Sequence, residues 1–268
     1  MAGALNNQVA IVTGAGRGFG RAIALRFAAE GAVVAVTART QKQIDETAAA
    51  ITSQGGRAIA VAGDVTRRED VARVVDRTVA KFGPVTTLVS NAGHGGPYGP
   101  IGFVDPDEWW ASQALHVRAP LLFASAVLPG MQKAGGGRIV IVASRGGVEI
   151  GPSLSAYCIG KATQIRFAQH LAAEGKEQHV AAFAIEPGTV ITEMAEATLA
   201  SPDAQRWLPH MLVSLREIKA AQSDPKAGLA RCAEMCLKLA SGRYDGLSGR
   251  YLTPDDDFDA LLRSGTPN

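Results

Sequence analysis

Six short apolar runs, QVAIVTG, AVVAVTA, RAIAVAGDV, VTTLVSNAG, GRIVIVAS and HVAAFAIEPG, recur along the chain, and each is separated from the next by a segment long enough to hold a crossover helix. That rhythm leaves few folds open. Strands joined by helices run parallel, and runs that are apolar at nearly every position suit a sheet covered on both faces. The expectation is an α/β fold, a doubly wound parallel sheet with helices on both faces. At 268 residues, 47% of them hydrophobic, the chain is long enough to bury one large core. Without repeats or linkers, residues 1–268 are expected to form a single domain. The one irregular region is 189–226, where Pro202, Pro209 and Pro225 interrupt helical pieces carrying Met194, Leu199, Trp207, Met211 and Leu212. It is expected to be a substrate loop or lid. Two helix starts are marked, Thr66 with Glu69 as a capping box and Asp105-Pro106-Asp107-Glu108 as N-cap, first-turn proline and acidic turn.

Charge excludes some functions. The 27 basic and 25 acidic residues give a formal +2, with no basic block that could track a phosphate backbone, so nucleic acid is not expected as a partner. No apolar run in the sequence approaches the roughly 20 residues of a membrane span. Three cysteines, Cys158, Cys232 and Cys236, are too few for a disulfide framework, and the opening residues lack a charged and then apolar leader. A reduced, cytoplasmic protein without a membrane partner is expected. Cys232 and Cys236 share a helix face but lack two further ligands, so they are read as buried thiols and no metal site is expected.

The stretch VTGAGRGFGRAIA follows the first apolar run directly and opens the first helical pattern. Gly14, Gly18 and Gly20 fall where backbone must turn tightly and approach a pyrophosphate at a helix N-terminus. The spacing is G-x-x-x-G-x-G, a variant of the general dinucleotide fingerprint. Further motifs follow in order: Gly63-Asp64-Val65, Asn91-Ala92-Gly93, Ser144 thirteen residues before Tyr157, Tyr157-x-x-x-Lys161, and Pro187-Gly188 leading to Val190 and Thr192. From Gln8 to about Leu252 the chain resembles the short-chain dehydrogenase/reductase family, whose fold is Rossmann-like.

The resemblance implies a nicotinamide cofactor held by Gly14, Arg17, Gly18, Phe19, Gly20, Asp64, Val65, Asn91, Ala92, Gly93, Pro187, Gly188, Val190 and Thr192, with Asp64 beside the adenine and Tyr157 and Lys161 at the nicotinamide ribose. A carboxylate for an NAD ribose is expected at the end of the second strand, where Ala38 stands instead. Arg39 comes next and Arg17 lies inside the glycine loop, so two guanidiniums could flank a 2′-phosphate. NADP(H) is favoured; NAD(H) stays open, because both arginines could equally be solvated.

Residues four apart stack on one helix face, so the Lys161 ammonium reaches the neighbourhood of the Tyr157 hydroxyl. A free phenol has a pKa near 10. A nearby cation is expected to lower it toward working pH, where the group exchanges a proton with an alcohol or carbonyl oxygen. The resemblance implies that Ser144 hydrogen-bonds the substrate oxygen and that a hydride passes between nicotinamide and a carbonyl or secondary alcohol carbon.

The family pattern breaks 28 residues before Ser144, where His116 replaces an asparagine whose backbone holds a proton-relaying water in many relatives. Two roles stay open for it. The imidazole shapes the helix or touches the substrate, or the side chain is tolerated while its backbone carbonyl acts. His94 and Tyr98, in the loop GHGGPYGP, and Arg145 and Glu149, after Ser144, are either substrate contacts or solvated loop residues. Three functions are weighed: a short-chain NAD(P)-dependent oxidoreductase; a nucleotide-binding regulatory or scaffold protein without turnover; and an epimerase or dehydratase of the extended branch, which fits poorly. The resemblance implies a homodimer or homotetramer, with the apolar faces of LLFASAVL and IRFAQHLAA as its expected interface.

Overall fold

The structure, a computed structural model, describes residues 3–222 and 224–265. Strands and helices alternate as the apolar runs predict. In chain order they are β1 (Val9–Thr13), α1 (Gly18–Ala29), β2 (Val33–Thr37), α2 (Gln41–Ser53), β3 (Arg57–Ala60), α3 (Arg68–Phe82), β4 (Thr87–Ser90) and α4 (Pro106–Gln113). A π turn (Ala114–Arg118) joins α4 to α5 (Ala119–Lys133), followed by β5 (Gly137–Val142), α6 (Ser155–Gly175) and β6 (Val180–Ile185). The chain continues through α7 (Glu193–Ala200), α8 (Pro202–Trp207), α9 (Pro209–Ala221), α10 (Pro225–Ala240), β7 (Tyr251–Leu252) and α11 (Phe258–Ser264).

All strand pairs are parallel, in the order β3-β2-β1-β4-β5-β6-β7. The winding reverses between β1 and β4, and the crevice outside the carboxyl ends of those two strands is where open α/β sheets bind ligands. Successive strand residues feed opposite faces. Val12, Val34 and Phe183 meet Ile23 and Phe27 of α1 and Cys232, Cys236 and Leu239 of α10. Ile11, Ala35 and Leu88 meet Val71 and Val75 of α3, Phe123 and Val127 of α5, and Leu171 of α6. Every residue of β1, β2 and β6 is buried, which is why those runs are apolar throughout rather than alternating. Burying a side chain such as Phe27 stabilises the fold by about 1.5 to 3 kcal/mol. Both Cys232 and Cys236 are free and fully buried in this packing.

Several expectations need correction. The edge strand β7, pairing Tyr251 with Ala184 and Leu252 with Ile185, has no periodic signal because it is two residues long. The capping box is absent: Arg67 is the N-cap of α3, and the Thr66 hydroxyl donates instead to Asp64 Oδ1 at 2.7 Å. The Asp64 carboxylate also accepts from the Thr66 backbone, so Thr66 closes a turn on Asp64 one residue ahead of the N-cap. Asp105, by contrast, caps α4 as expected, accepting from the backbone of Asp107 and Glu108. Residues Pro106–Lys133 form one continuous helical stretch that is, by length and composition, apolar enough to cross a bilayer. Its apolarity serves the sheet: Phe123, Ala124, Val127 and Met131 lie in the second core. The region 189–226 forms α7, α8 and α9 around their own small core of Ala204, Leu208 and Leu212.

Candidate active site

The glycine loop leaves β1 at Gly14, whose φ of +64° is a left-handed conformation open to glycine. A Cβ there would stand 2.8 Å from Asn91 Nδ2 and 3.0 Å from Ala92 Cα. The approach is close because Thr13 ties the two strand ends together: its hydroxyl accepts from the backbone of Asn91 and Ala92, while Asn91 Nδ2 donates to the Thr13 carbonyl. Asn91 is thereby a clamp between β1 and β4. No side chain caps the first turn of α1, so its N–H groups stay available to an anion.

A cleft of about 460 Å³ opens over this loop. Its lining contains most of the expected cofactor residues: Gly14, Arg17, Gly18 and Phe19 from the loop, Arg39 after β2, Asp64 and Val65 after β3, Asn91, Ala92 and Gly93 after β4, and Thr192 before α7. Gly20 is buried in the first turn of α1 beneath it. Pro187, Gly188 and Val190 do not line it; Val190 is buried, and its Cγ2 would stand 2.5 Å from a Cβ on Gly228. Arg17 and Arg39 are both exposed, and neither forms an ion pair among the described residues. An uncapped helix start, a close-approach glycine and two unengaged guanidiniums fit a dinucleotide carrying phosphates.

Beyond Gly93 lies the second cluster. Tyr157 and Lys161 come from consecutive turns of α6, and Ser144 from the end of β5. Ser144 is near enough to the Tyr157 hydroxyl to favour its ionised form. The Ser144 oxygen accepts from Gly146 N at 3.2 Å, which fixes its direction, and a Cβ on Gly146 would stand 3.2 Å from the Tyr157 ring. Lys161, 4% exposed, sits with Nζ 5.6 Å from the centre of the Tyr157 ring. Nζ donates to the Val142 carbonyl at 2.7 Å and to Gln164 Oε1 at 3.1 Å.

The expected electrostatics are reversed. Burial raises the Tyr157 phenol above 10, against the lowering effect of Ser144; Cys158, Tyr98 and Glu186 push the same way as burial. Burial alone pulls the Lys161 ammonium down to about 7. Desolvation outweighs the attraction that the four-residue offset suggests, since each charged form loses its water. The Tyr157 phenol is therefore protonated at neutral pH.

His116 is fully buried at the centre of the π turn. Its Nε2 lies 3.0 Å from the His94 carbonyl, so that nitrogen carries the proton and Nδ1 is the bare acceptor; no group among the described residues donates to it. Burial, then the charge of Lys161, depress its pKa to about 3. The ring meets the rings of His94 and Tyr157, not open space. A Cβ on Gly160 would stand 2.6 Å from His116 Cβ, so a glycine beside Lys161 lets α6 approach the π turn. His94 borders the cleft. Tyr98 shares a 2.7 Å hydrogen bond with Thr198 of α7. Trp207 packs on Phe103, with ring centres 5.2 Å apart.

Two buried polar residues were not singled out from sequence. Glu186, 8% exposed, accepts from Tyr251 Oη at 3.3 Å and pairs with Arg145 at 3.3 Å, so Arg145 faces an acid and not only solvent. Gln164, 2% exposed, faces Lys161. Their only signal is a polar side chain in an otherwise apolar frame, an acid ending the run HVAAFAI and an amide one turn after Lys161. Glu149 borders a second, apolar hollow with Val148, Ile150, Cys158 and Ile159.

A parallel sheet with a phosphate-ready cleft at its switch point, and a tyrosine and lysine at the cleft's end, defines a nicotinamide-dependent oxidoreductase. The short chain dehydrogenase family model matches residues 8–203. A short chain dehydrogenase of Pseudocercospora fijiensis is 34% identical over 266 residues, covering 97% of this chain and 84% of that one. Human dehydrogenase/reductase SDR family member 4 is 34% identical over 191 residues, 71% of this chain and 69% of that one. Among solved structures, a candidate short-chain dehydrogenase/reductase from Burkholderia xenovorans superimposes with TM-score 0.82 at 32% identity, covering 97% and 99% of the two chains. A 7α-hydroxysteroid dehydrogenase, complexed with NADH and 7-oxo glycochenodeoxycholic acid, gives 0.80 at 27% identity and 93% of each. The chain belongs to the short-chain dehydrogenase/reductase family.

Proposed function

We propose that the enzyme interconverts a ketone or aldehyde with its alcohol, that Tyr157 is the proton donor and acceptor, and that NADP(H) is the preferred cofactor. The observation that carries this reading is the grouping of Tyr157 beside Ser144, with Lys161 Nζ 5.6 Å from the centre of the same ring, at the end of the dinucleotide cleft. Bound in that cleft, a reduced nicotinamide supplies the hydride for the carbonyl carbon. Ser144 hydrogen-bonds the substrate oxygen and holds it beside the phenol. Tyr157 gives its proton to that oxygen as the carbon is reduced, and Lys161 offsets the phenolate left behind. Oxidation of an alcohol runs the same proton backward. The protonated phenol at neutral pH favours reduction as the readily observed direction. The preference for the phosphorylated cofactor rests on Arg17, Arg39 and Ala38; the hydroxysteroid dehydrogenase relative is complexed with NADH.

Oxidation of NADPH and of NADH is followed against ketones, aldehydes, quinones and cyclic diketones, with Tyr157→Phe in parallel. Turnover that the Phe variant abolishes supports the reading. Nucleotide binding with no turnover in the parent chain favours a regulatory protein instead, a reading supported by the unusual His116 environment.

The assembly proposed is a homodimer or homotetramer. Trp110, 69% exposed, and the half-exposed Leu121 and Ile159 lie on α4, α5 and α6, as an apolar face between copies requires. Light scattering during size-exclusion chromatography reads the mass directly. Three free thiols suit the reducing cytoplasm proposed as its location.

A further inference from the structure

Gln164 lies one turn beyond Lys161 on α6, almost wholly buried, and both ends of its amide are engaged. Its Oε1 accepts from Lys161 Nζ at 3.1 Å. Its Nε2 donates to the His116 carbonyl at 2.8 Å. That carbonyl is available for a reason written in the chain: the residue four positions on is Pro120, which has no N–H to close the helical bond. The backbone passes through the π turn instead, with Ala119 N bonded to the Ala114 carbonyl. The proline, the π turn and the buried amide therefore form one connected arrangement.

An ammonium has three donors. Val142 and Gln164 take two of them, from the end of β5 and from α6 itself. The nitrogen also lies under the Tyr157 ring and 3.8 Å from where a Cβ on Gly93 would stand, so it borders both the phenol and the floor of the cleft.

We propose that Gln164 is a positioning residue for the reaction assigned above: it acts through Lys161, tying the ammonium to the π turn and aiming its remaining donor at the cleft. The inference rests on the assignment of Tyr157 and Lys161 to proton transfer. An amide suits the place because it turns an acceptor to the cation and a donor to a carbonyl at once. A leucine leaves a buried ammonium and a buried carbonyl each short of a partner. A glutamate keeps the acceptor for Lys161, turns an oxygen toward the His116 carbonyl, and adds a negative charge that favours the charged lysine.

The titratable groups facing Lys161 are Tyr157 on its own helix, His116 on the π turn and His94 in the loop after β4. None is an acid ionised at neutral pH, and burial is the cause of the ammonium's depressed pKa of about 7. A carboxylate at 164 thus has an effect that no present neighbour masks.

The test compares the parent chain with Gln164→Leu, Gln164→Glu and Tyr157→Phe. Two readouts are taken: kcat and KM for NADPH-dependent carbonyl reduction across pH, and thermal melting of the cofactor-free protein across pH. Gln164→Leu is expected to lower kcat by roughly ten- to a hundredfold, the scale of a misplaced reacting group, with KM changed far less. Gln164→Glu is expected to move the alkaline limb of activity upward by about one pH unit or more, and to move the alkaline rise in melting temperature of the cofactor-free protein the same way. If Gln164→Leu fails to fold, the two shifts in Gln164→Glu decide the matter. Parent kcat in Gln164→Leu together with unmoved curves in Gln164→Glu, with Tyr157→Phe inactive, overturns this inference alone. Full turnover by Tyr157→Phe overturns the proton-transfer assignment and this inference with it.

Discussion

The His116 ring meets the Tyr157 ring edge-on, with centres 5.6 Å apart and planes at 88°. The contact holds because the imidazole is neutral: burial keeps its pKa at about 3, below the ordinary 6.5. Between those values the unfolded chain binds a proton that the folded one refuses. Stability from this group is therefore complete above pH 6.5 and falls as pH drops toward 3. Between pH 6.5 and 5 the loss is about 2 kcal/mol, at the scale of 1.36 kcal/mol per unit. Thermal melts over that range should show it, and His116→Asn should flatten the dependence. Catalysis in the parent chain should show no imidazole limb near 6.5.

Lys161 carries the same sign in a different window. Its folded pKa of about 7 lies below the ordinary 10.5, so the unfolded chain binds more protons between them. Stability rises with pH across that window and is lowest below it. Lys161→Met should melt higher than the parent chain at neutral pH, lose the alkaline rise, and be inactive. The parent's kcat/KM for carbonyl reduction should decline above about pH 7 as the ammonium deprotonates in the free enzyme.

Removing Arg39 tests the cofactor preference. Hydrogen bonds to a charged group contribute about 1.5 to 3 kcal/mol, so Arg39→Ser should raise KM for NADPH roughly ten- to a hundredfold. The KM for NADH should stay near its parent value. Equal effects on both cofactors sink the phosphate role of this side chain.

Gly14→Ala forces a side chain into left-handed backbone, at a cost of about 1 to 2 kcal/mol, and drives its Cβ against Asn91. A lower melting temperature together with weakened nucleotide binding is expected in fluorescence titration. Parent-like binding argues that the loop can relax without loss of the cradle.

Tyr98→Phe removes the hydrogen bond that ties the loop after β4 to α7. A loss of about 1 kcal/mol is expected. If α7 to α9 close over substrate, the loss appears as a raised substrate KM with kcat near the parent value. An unchanged KM separates the bond from substrate binding.

Much of this enzyme is local in its sequence. The sheet follows from six apolar runs, the cleft from glycines set between a strand and a helix, and the Tyr157 and Lys161 pair from a one-turn offset on α6. Each depends on neighbours within a few residues, and the physics of such neighbours is carried by spacing. The Asp105 cap is of the same kind. The Thr66 cap failed because Thr66 is held in a turn on Asp64 and α3 starts one residue later, with Arg67 as its N-cap, an alternative that a motif alone does not rank.

What only the tertiary structure decided is the set of contacts made between distant segments. The link from Pro120 through the His116 carbonyl and Gln164 to Lys161 joins two helices separated by a strand, and no period in the chain announces it. Burial of Glu186 beside Tyr251 depends on β7, a strand two residues long at the sheet edge. The direction of the Tyr157 shift reversed for the same reason. Spacing along a helix sets which charges are near each other; the folded interior sets how much water each has lost, and here the lost water is the larger effect.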